Sequence, residues 1–222
     1  MKLNKFFILL VLFAFARSFA QAGTNGFVVP NFRGQSGALF AGWERFTVAT
    51  DNGVGNAPDL PGSTAPASLL QFNTNAFITG TGNIYNLADK SLFEIRDTSP
   101  VLFDKIVLQV RTAGTELDYS SIKLTLNSQV LPTPTRTELD RVTFGVPNTP
   151  GSGVFVSSLW QWDVAGLAAG PSSFLISFGA ADPSLSFDSA TLDTIQAVPE
   201  PGTMALLGVG AVALALSRFR RK

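Results

Sequence analysis

The stretch Lys105-Ile106-Val107-Leu108-Gln109-Val110-Arg111-Thr112 decides the fold class, because its side chains alternate in character from one residue to the next. Ile106, Leu108 and Val110 share one face of an extended chain. The other face carries Lys105, Val107, Gln109 and Arg111. A period of two predicts a β-strand with one face in a core and one face toward water. Residues 122–127 alternate in the same way.

Extended runs separated by turn residues continue on both sides of this strand. The body is rich in Gly, Pro, Ser, Thr and Asn, and a turn at residues 87–90 is its only helical signal. Further predicted strands cover residues 27–32, 38–50, 68–73, 76–79, 83–85, 91–97, 137–146, 154–164, 174–178 and 185–195. The alternation of the last run shifts near Ser189, which indicates a β-bulge. Eight to ten strands among these runs predict an all-β fold, an antiparallel β-sandwich of jelly-roll type.

The first 22 residues have the three parts of a secretory signal peptide. Lys2 and Lys5 supply the positive start, and residues 6–16 form an apolar run that is too short for a comfortable membrane span. Small residues at Ala20 and Ala22 predict cleavage after Ala22, and the same pattern at Ala14 and Ala16 offers an earlier site as the alternative. The sequence therefore predicts a signal peptide at 1–22 and a single β domain at 23–197.

Residues 198–222 form a tail of three physically different pieces. Val198-Pro199-Glu200-Pro201 opens it, and its two prolines favour an extended, exposed backbone. The uncharged run 204–216 would span roughly 20 Å as a helix, and the residues beside it bring it nearer the ~30 Å of a bilayer core. The basic end carries Arg218, Arg220, Arg221 and Lys222. This order predicts a membrane helix whose cations stay on the cytoplasmic side.

The order Pro-Glu-Pro, apolar helix, Arg-rich end resembles the PEP-CTERM sorting signal of Gram-negative bacteria. The resemblance implies export across the inner membrane, transient anchoring through the tail, processing by the membrane enzyme exosortase, and release to the cell surface or beyond. The body resembles exported PEP-CTERM proteins more loosely, in segments such as 43–51, 82–86 and 187–194. A plain C-terminal membrane anchor is the simpler interpretation of the same tail.

Composition excludes several chemistries. The chain has no cysteine and no histidine, so disulfides, thiolate metal sites and every Ser-His-Asp, Cys-His or His-metal hydrolase are excluded. Its 16 cations balance its 16 acids. However, seven of the cations lie in 1–22 and 198–222, where Glu200 is the only acid, so the body between them is acidic. Without a basic stripe, nucleic acid is not an expected partner.

Two binding sites are candidates on residue type alone. Asp51, Asn56 and Asp59 gather oxygen ligands around a polar loop, which is the ligand chemistry of calcium, although an Asx-rich turn explains the same residues. No other cofactor is expected. Exposed aromatic side chains can stack on sugar rings, and the candidates are Trp43, Tyr85, Tyr119, Trp160 and Trp162. Trp160 and Trp162 point the same way on one strand, so they could form a platform for a sugar ring. Core packing is the alternative for both, because aromatics dominate the interiors of sandwiches.

These observations lead to three hypotheses of function. The first is an exported, non-enzymatic surface or extracellular-matrix protein that meets the export machinery, exosortase and extracellular polysaccharide. The second is a carbohydrate-binding module of the same fold. The third is a glycoside hydrolase that uses carboxylates alone, with Glu44, Glu94, Glu116 and Glu138 as the acids to consider.

Overall fold

A computed structural model describes residues 24–146, 149, 151–168 and 170–197. The predicted signal peptide at 1–22 and the predicted tail at 198–222 lie outside the described residues. The described chain forms twelve β-strands: β1 Ala38–Trp43, β2 Ala67–Gln71, β3 Phe77–Ile78, β4 Ile84–Asn86, β5 Leu92–Val101, β6 Phe103–Gly114, β7 Leu117–Leu126, β8 Gln129–Leu131, β9 Thr137–Phe144, β10 Gly153–Asp163, β11 Ser172–Ala180 and β12 Leu185–Gln196.

The strands form two antiparallel sheets. The seven-stranded sheet has the order β3-β4-β12-β6-β10-β9, and β1 also pairs with β12. The five-stranded sheet has the order β2-β5-β11-β7-β8. A 3₁₀ turn at Thr24–Gly26 is the only helical element of the described chain, and the expected turn at 87–90 is not helical. The all-β class predicted from the alternation is therefore confirmed.

The core lies between the two sheets. The side chains of Ile106, Leu108 and Val110 are at most 1% exposed, as the alternation of β6 predicts. Aromatic rings make contact across the core, because Phe93 of the smaller sheet stacks on Phe187 of the larger one with ring centroids 4.5 Å apart. One continuous buried cluster thus holds residues of both sheets together.

The predicted strand at 38–50 ends early, at Trp43. The next two backbone N–H groups, of Glu44 and Arg45, donate to the two carboxylate oxygens of Asp59 at 2.8 and 3.0 Å. The Asp59 side chain therefore accepts the two hydrogen bonds that a neighbouring strand would otherwise accept. Residues 27–32 form no strand in the described chain, and β8 is a strand that the sequence did not predict.

The bulge expected near Ser189 is present in β12. Phe187 pairs with Thr112 and Ser189 pairs with Arg111, so Asp188 is the extra residue in the ladder. The bulge changes which side chains of β12 face the core, and it explains why the period of two fails in this run.

The outer face of the larger sheet is covered along part of its length by residues 25–33. The side-chain amide of Gln109 accepts from the Val28 N–H at 2.8 Å and donates to the Val28 carbonyl at 2.9 Å. Ser157 donates to the Asn25 carbonyl at 2.9 Å. Gln109 is consequently fully buried, so the expectation that this face of β6 meets water is wrong.

Candidate functional site

The indoles of Trp160 and Trp162 lie in the core, so the sugar platform predicted on these two residues is wrong. Their exposed fractions are 0% and 4%. They do share one face of β10, as predicted, but that face is directed at the smaller sheet, where Tyr119 lies 6.1 Å from Trp160 between ring centroids. Neither indole N–H has a hydrogen-bond acceptor among the described residues, which shows that apolar packing determines their position.

The three calcium candidates serve as backbone braces. Asp51 accepts from the Gly53 N–H at 2.7 Å, which is an Asx turn. Asn56 is buried, and its side-chain oxygen accepts from the backbone N–H groups of Thr47 and Val48 at 2.9 Å each. The Asp59 carboxylate binds the two N–H groups that follow β1. Within the described ranges no three Asp, Glu, His or Cys side chains come together in a group that could hold a metal ion.

Two of the four carboxylates named for hydrolysis come together, with an arginine between them. Arg141 binds Glu116 through two contacts of 2.8 and 2.9 Å and Glu138 through contacts of 2.9 and 3.0 Å. Arg136 donates to Glu138 at 2.6 Å and its guanidinium lies 3.9 Å from the centre of the Tyr119 ring. This cluster bridges β9 of the larger sheet and the start of β7 in the smaller one.

The electrostatics of the cluster oppose general-acid catalysis. The hydrogen bonds from Arg141 lower the pKa of Glu116, and those from Arg141 and Arg136 lower the pKa of Glu138 to about 2. Burial and the neighbouring Glu116 raise the pKa of Tyr119 to about 12. A glycosidase needs one carboxyl group that stays protonated near neutral pH, and both of these carboxylates are held ionised. The arrangement is that of an ion-pair network between the sheets.

A row of aligned side chains crosses the outer face of the larger sheet near its other end. The strand register places in line Phe77 of β3, Tyr85 of β4, Ser186 of β12, Ala113 of β6 and Phe155 of β10. Aromatic rings occupy both ends of the row and small residues occupy its middle. The sheet itself therefore builds a shallow trough with aromatic banks.

The trough opens into a groove of about 760 Å³, hereafter the aromatic groove. Phe77 and Tyr85 form one bank, where their rings meet edge to face at 5.5 Å, and Phe144 forms the other bank. Phe144 packs on Phe155 at 4.9 Å. The volume falls in the range of small-molecule sites.

Glycines keep the floor of the aromatic groove low. A Cβ on Gly114 would lie 2.7 Å from the Ser184 carbonyl oxygen, and Gly114 has φ +86°. A Cβ on Gly153 would lie 2.7 Å from the ring of Phe144. Both positions therefore require the absence of a side chain, and the strands can approach closely beneath the groove.

Sequence reasoning named only Tyr85 among the aromatic residues of this site, because its residues come from five separate stretches of the chain. The one local signal was the predicted hairpin of 76–79 and 83–85, which is confirmed as β3 and β4 and which carries Phe77 opposite Tyr85. An aromatic cross-strand pair is detectable from a hairpin register alone. The partners on β6, β9, β10 and β12 depend on long-range pairing.

The described chain ends far from the aromatic groove. The Ala197 N–H donates to the Leu102 carbonyl at 2.9 Å, and Gln196 pairs with Phe103 at the start of β6. Gly114, at the end of β6, lies in the floor of the groove. Eleven residues of strand separate these points by ~37 Å.

None of the helical structure in the described residues is long and apolar enough to cross a bilayer.

Fold and groove define this molecule as an all-β protein made of two antiparallel sheets, with an open groove on the larger sheet. The segment that follows the body carries a known sorting motif. Residues 197–222 match the PEP-CTERM protein-sorting motif, so the predicted resemblance of the tail is confirmed. No curated protein and no solved structure matches the chain. The motif implies export in a Gram-negative bacterium, with processing by exosortase and sorting to the surface or the exterior.

Proposed function

We propose that this protein is an exported, non-enzymatic component of the cell surface or extracellular matrix. The observation that carries the proposal is the PEP-CTERM motif at residues 197–222, directly after an all-β body whose last strand ends at Gln196. After processing, the body would remain at the surface or within extracellular polysaccharide. The tail would act as a temporary membrane anchor before exosortase acts near Pro199-Glu200-Pro201.

The body is best interpreted as a β-sandwich of jelly-roll type. Eight of the strands support it, because β1-β12-β6-β10 run side by side in one sheet and β5-β11-β7-β8 in the other. Along the chain these strands change sheet at almost every step, as in two interlocked Greek keys. Jelly rolls serve as rigid carriers for surface loops and grooves, and that role fits a matrix protein without catalytic residues.

The non-enzymatic part of the proposal is supported by the chemistry of the acidic residues. With no histidine or cysteine, catalysis would depend on carboxylates, and the pair Glu116 and Glu138 is bound to Arg141. Glu94 is paired with Arg96 at 2.6 Å. Metal-free and cofactor-free function is proposed on the same grounds, since Asp51, Asn56 and Asp59 each brace the backbone.

The test is the fate of the tail in a Gram-negative host that makes exosortase. Cells expressing the full chain are fractionated, and the protein in each fraction is weighed by intact-mass spectrometry. We expect a product outside the inner membrane that lacks residues beyond the Pro-Glu-Pro segment. Replacing Glu200 by Ala should leave the unprocessed chain in the inner membrane, whereas Glu44→Ala, at an exposed site in the body, should not.

Two results would contradict the proposal. A wild-type product that still ends at Lys222 in the inner membrane would support a plain anchor. Hydrolysis of a polysaccharide by the purified protein, abolished in Glu138→Gln, would support an enzyme. The first result concerns sorting and the second concerns catalysis, so the two parts of the proposal fail separately.

A further inference from the structure

We propose that the aromatic groove binds a segment of an uncharged polysaccharide. A sugar ring presents two kinds of surface, a face of C–H groups and a rim of hydroxyl groups. A site for it therefore needs flat aromatic rings next to hydrogen-bonding groups, without fixed charge. The proposal concerns the body alone, so it stands or falls independently of how the tail is processed.

The aromatic rings supply the flat surface. Phe77 is 50% exposed, although it is an apolar ring on a strand, and Tyr85 next to it is partly exposed. Their cross-strand pairing and edge-to-face contact at 5.5 Å hold both rings in fixed positions. Phe77 and Ala113 both line the groove and are three strand spacings apart, or ~14 Å, so the row is long enough for more than one sugar ring.

Hydroxyl groups supply the polar rim. Thr79, Thr115, Ser184 and Ser186 line the groove with the phenol of Tyr85. Ser186 accepts from the side-chain amide of Asn83 at 3.2 Å, so its own proton is free to be donated to a ligand. The Thr115 hydroxyl already donates to the carbonyls of Asp182 and Pro183, whereas the hydroxyls of Ser186 and Tyr85 donate to none of the described residues. A dry apolar partner, such as a second copy of this chain or an acyl chain, would leave these two donors without water or an acceptor.

Charge determines the class of polysaccharide. None of the described residues that line the groove is Asp, Glu, Lys or Arg. One charged pair on this face, Arg111 with Asp188 at 3.3 Å, neutralises itself beside Phe155. An acidic polysaccharide would find no cation in the groove, and the body as a whole is acidic. The ligand expected here is therefore a neutral glycan.

The test is isothermal titration calorimetry of the full chain with three neutral probes: cellohexaose, laminarihexaose and mannohexaose. The chain is kept in a zwitterionic detergent, because glucoside and maltoside detergents carry sugar head groups that would compete. We expect at least one probe to bind, and Phe77→Ala with Tyr85→Ala to weaken its affinity by about tenfold or more, since two ring contacts are lost. Val130→Ala, an equally exposed apolar residue on β8, is the matched control and should bind as the wild type does.

Phe77→Leu separates ring stacking from folding, because it keeps an apolar side chain on β3. It should fold with the same circular dichroism spectrum and still bind more weakly than the wild type. The proposal is overturned if no probe binds, or if binding is unchanged in both Phe77 variants. It is also overturned if the wild type self-associates, Phe77→Leu prevents this, and no probe gives heat.

Discussion

The ion pair between Arg33 and Asp193 should hold the N-terminal segment onto the larger sheet. The guanidinium meets both carboxylate oxygens, at 2.5 and 2.6 Å. The Asp193 side chain is 0% exposed and that of Arg33 is 26% exposed. The Arg33 guanidinium also lies 4.0 Å from the centre of the Phe40 ring. Replacing Arg33 by Ala would leave a buried carboxylate without its counter-ion.

The structure indicates how large the effect should be. Removing one partner of a buried ion pair costs about 3–5 kcal/mol, and the partial exposure of Arg33 favours the lower end, ~3 kcal/mol. For a body of this size 1 kcal/mol corresponds to a shift of ~2–4 °C, so the melting temperature should fall by ~6–12 °C. Arg96→Ala, which breaks a surface pair with Glu94, is the control and should cost less than about 1 kcal/mol.

The pH dependence separates loss of charge pairing from loss of packing. Burial raises the pKa of Asp193, and the Arg33 guanidinium offsets part of that rise. Without Arg33 the folded protein should hold the Asp193 proton to a still higher pH. A raised folded pKa means that stability is lost as pH rises through it, so the cost of Arg33→Ala should be larger at pH 7 than at pH 4. Adding Asp193→Asn should recover part of the loss at pH 7.

Urea unfolding of the purified protein, followed by far-UV circular dichroism at both pH values, measures these costs. Equal losses of unfolding free energy for Arg33→Ala and Arg96→Ala at pH 7 would refute this role of the Arg33–Asp193 ion pair, because the pair would then behave as a surface contact. A cost that does not change between pH 4 and pH 7 would assign the effect to packing on Phe40.

Three further predictions use the same unfolding assay. Burial raises the pKa of Asp97, and one of its buried carboxylate oxygens has no hydrogen-bond partner among the described residues. Asp97→Asn should therefore gain stability relative to the wild type as pH rises from 4 to 7, and parallel pH profiles would contradict this. Asn56→Ala should cost ~2–4 kcal/mol because it leaves two backbone N–H groups without an acceptor, whereas Asn52→Ala in the exposed turn should cost less than about 1 kcal/mol. Gly114→Ala should cost more than Gly34→Ala, because both have positive φ but only Gly114 would also meet a carbonyl oxygen; equal costs would show that the floor of the groove can yield.

The alternation of single strands was readable from the sequence because it is a local property. The run 105–112 lies within β6, the run 154–164 matches β10 closely, and the shift at Ser189 marks a real bulge. In each case the physical cause is the period of two, which places every second side chain against the same core.

The sequence did not show whether each face of a strand meets the other sheet, a covering segment or water. The period predicts that Trp160 and Trp162 point the same way, but not whether that way is toward the smaller sheet or toward water. The same limit applies to Gln109, a polar residue on a face expected to be wet. It is buried because Val28, 81 positions earlier, covers it with two backbone hydrogen bonds. Such covering depends on tertiary contacts that leave no local pattern.

The aromatic groove shows how a binding surface can arise without a motif. Phe77, Tyr85 and Phe155 are ordinary strand residues in the sequence, and each on its own would be expected in the core. The antiparallel register brings them into one line, and Ala113 and Ser186 keep the middle of that line low. Large exposed rings carry a solvation cost that a purely structural body has no reason to keep. That cost is the physical argument for a ligand, and it is strongest at Phe77, whose ring is half exposed beside seven hydroxyl-bearing residues of the groove.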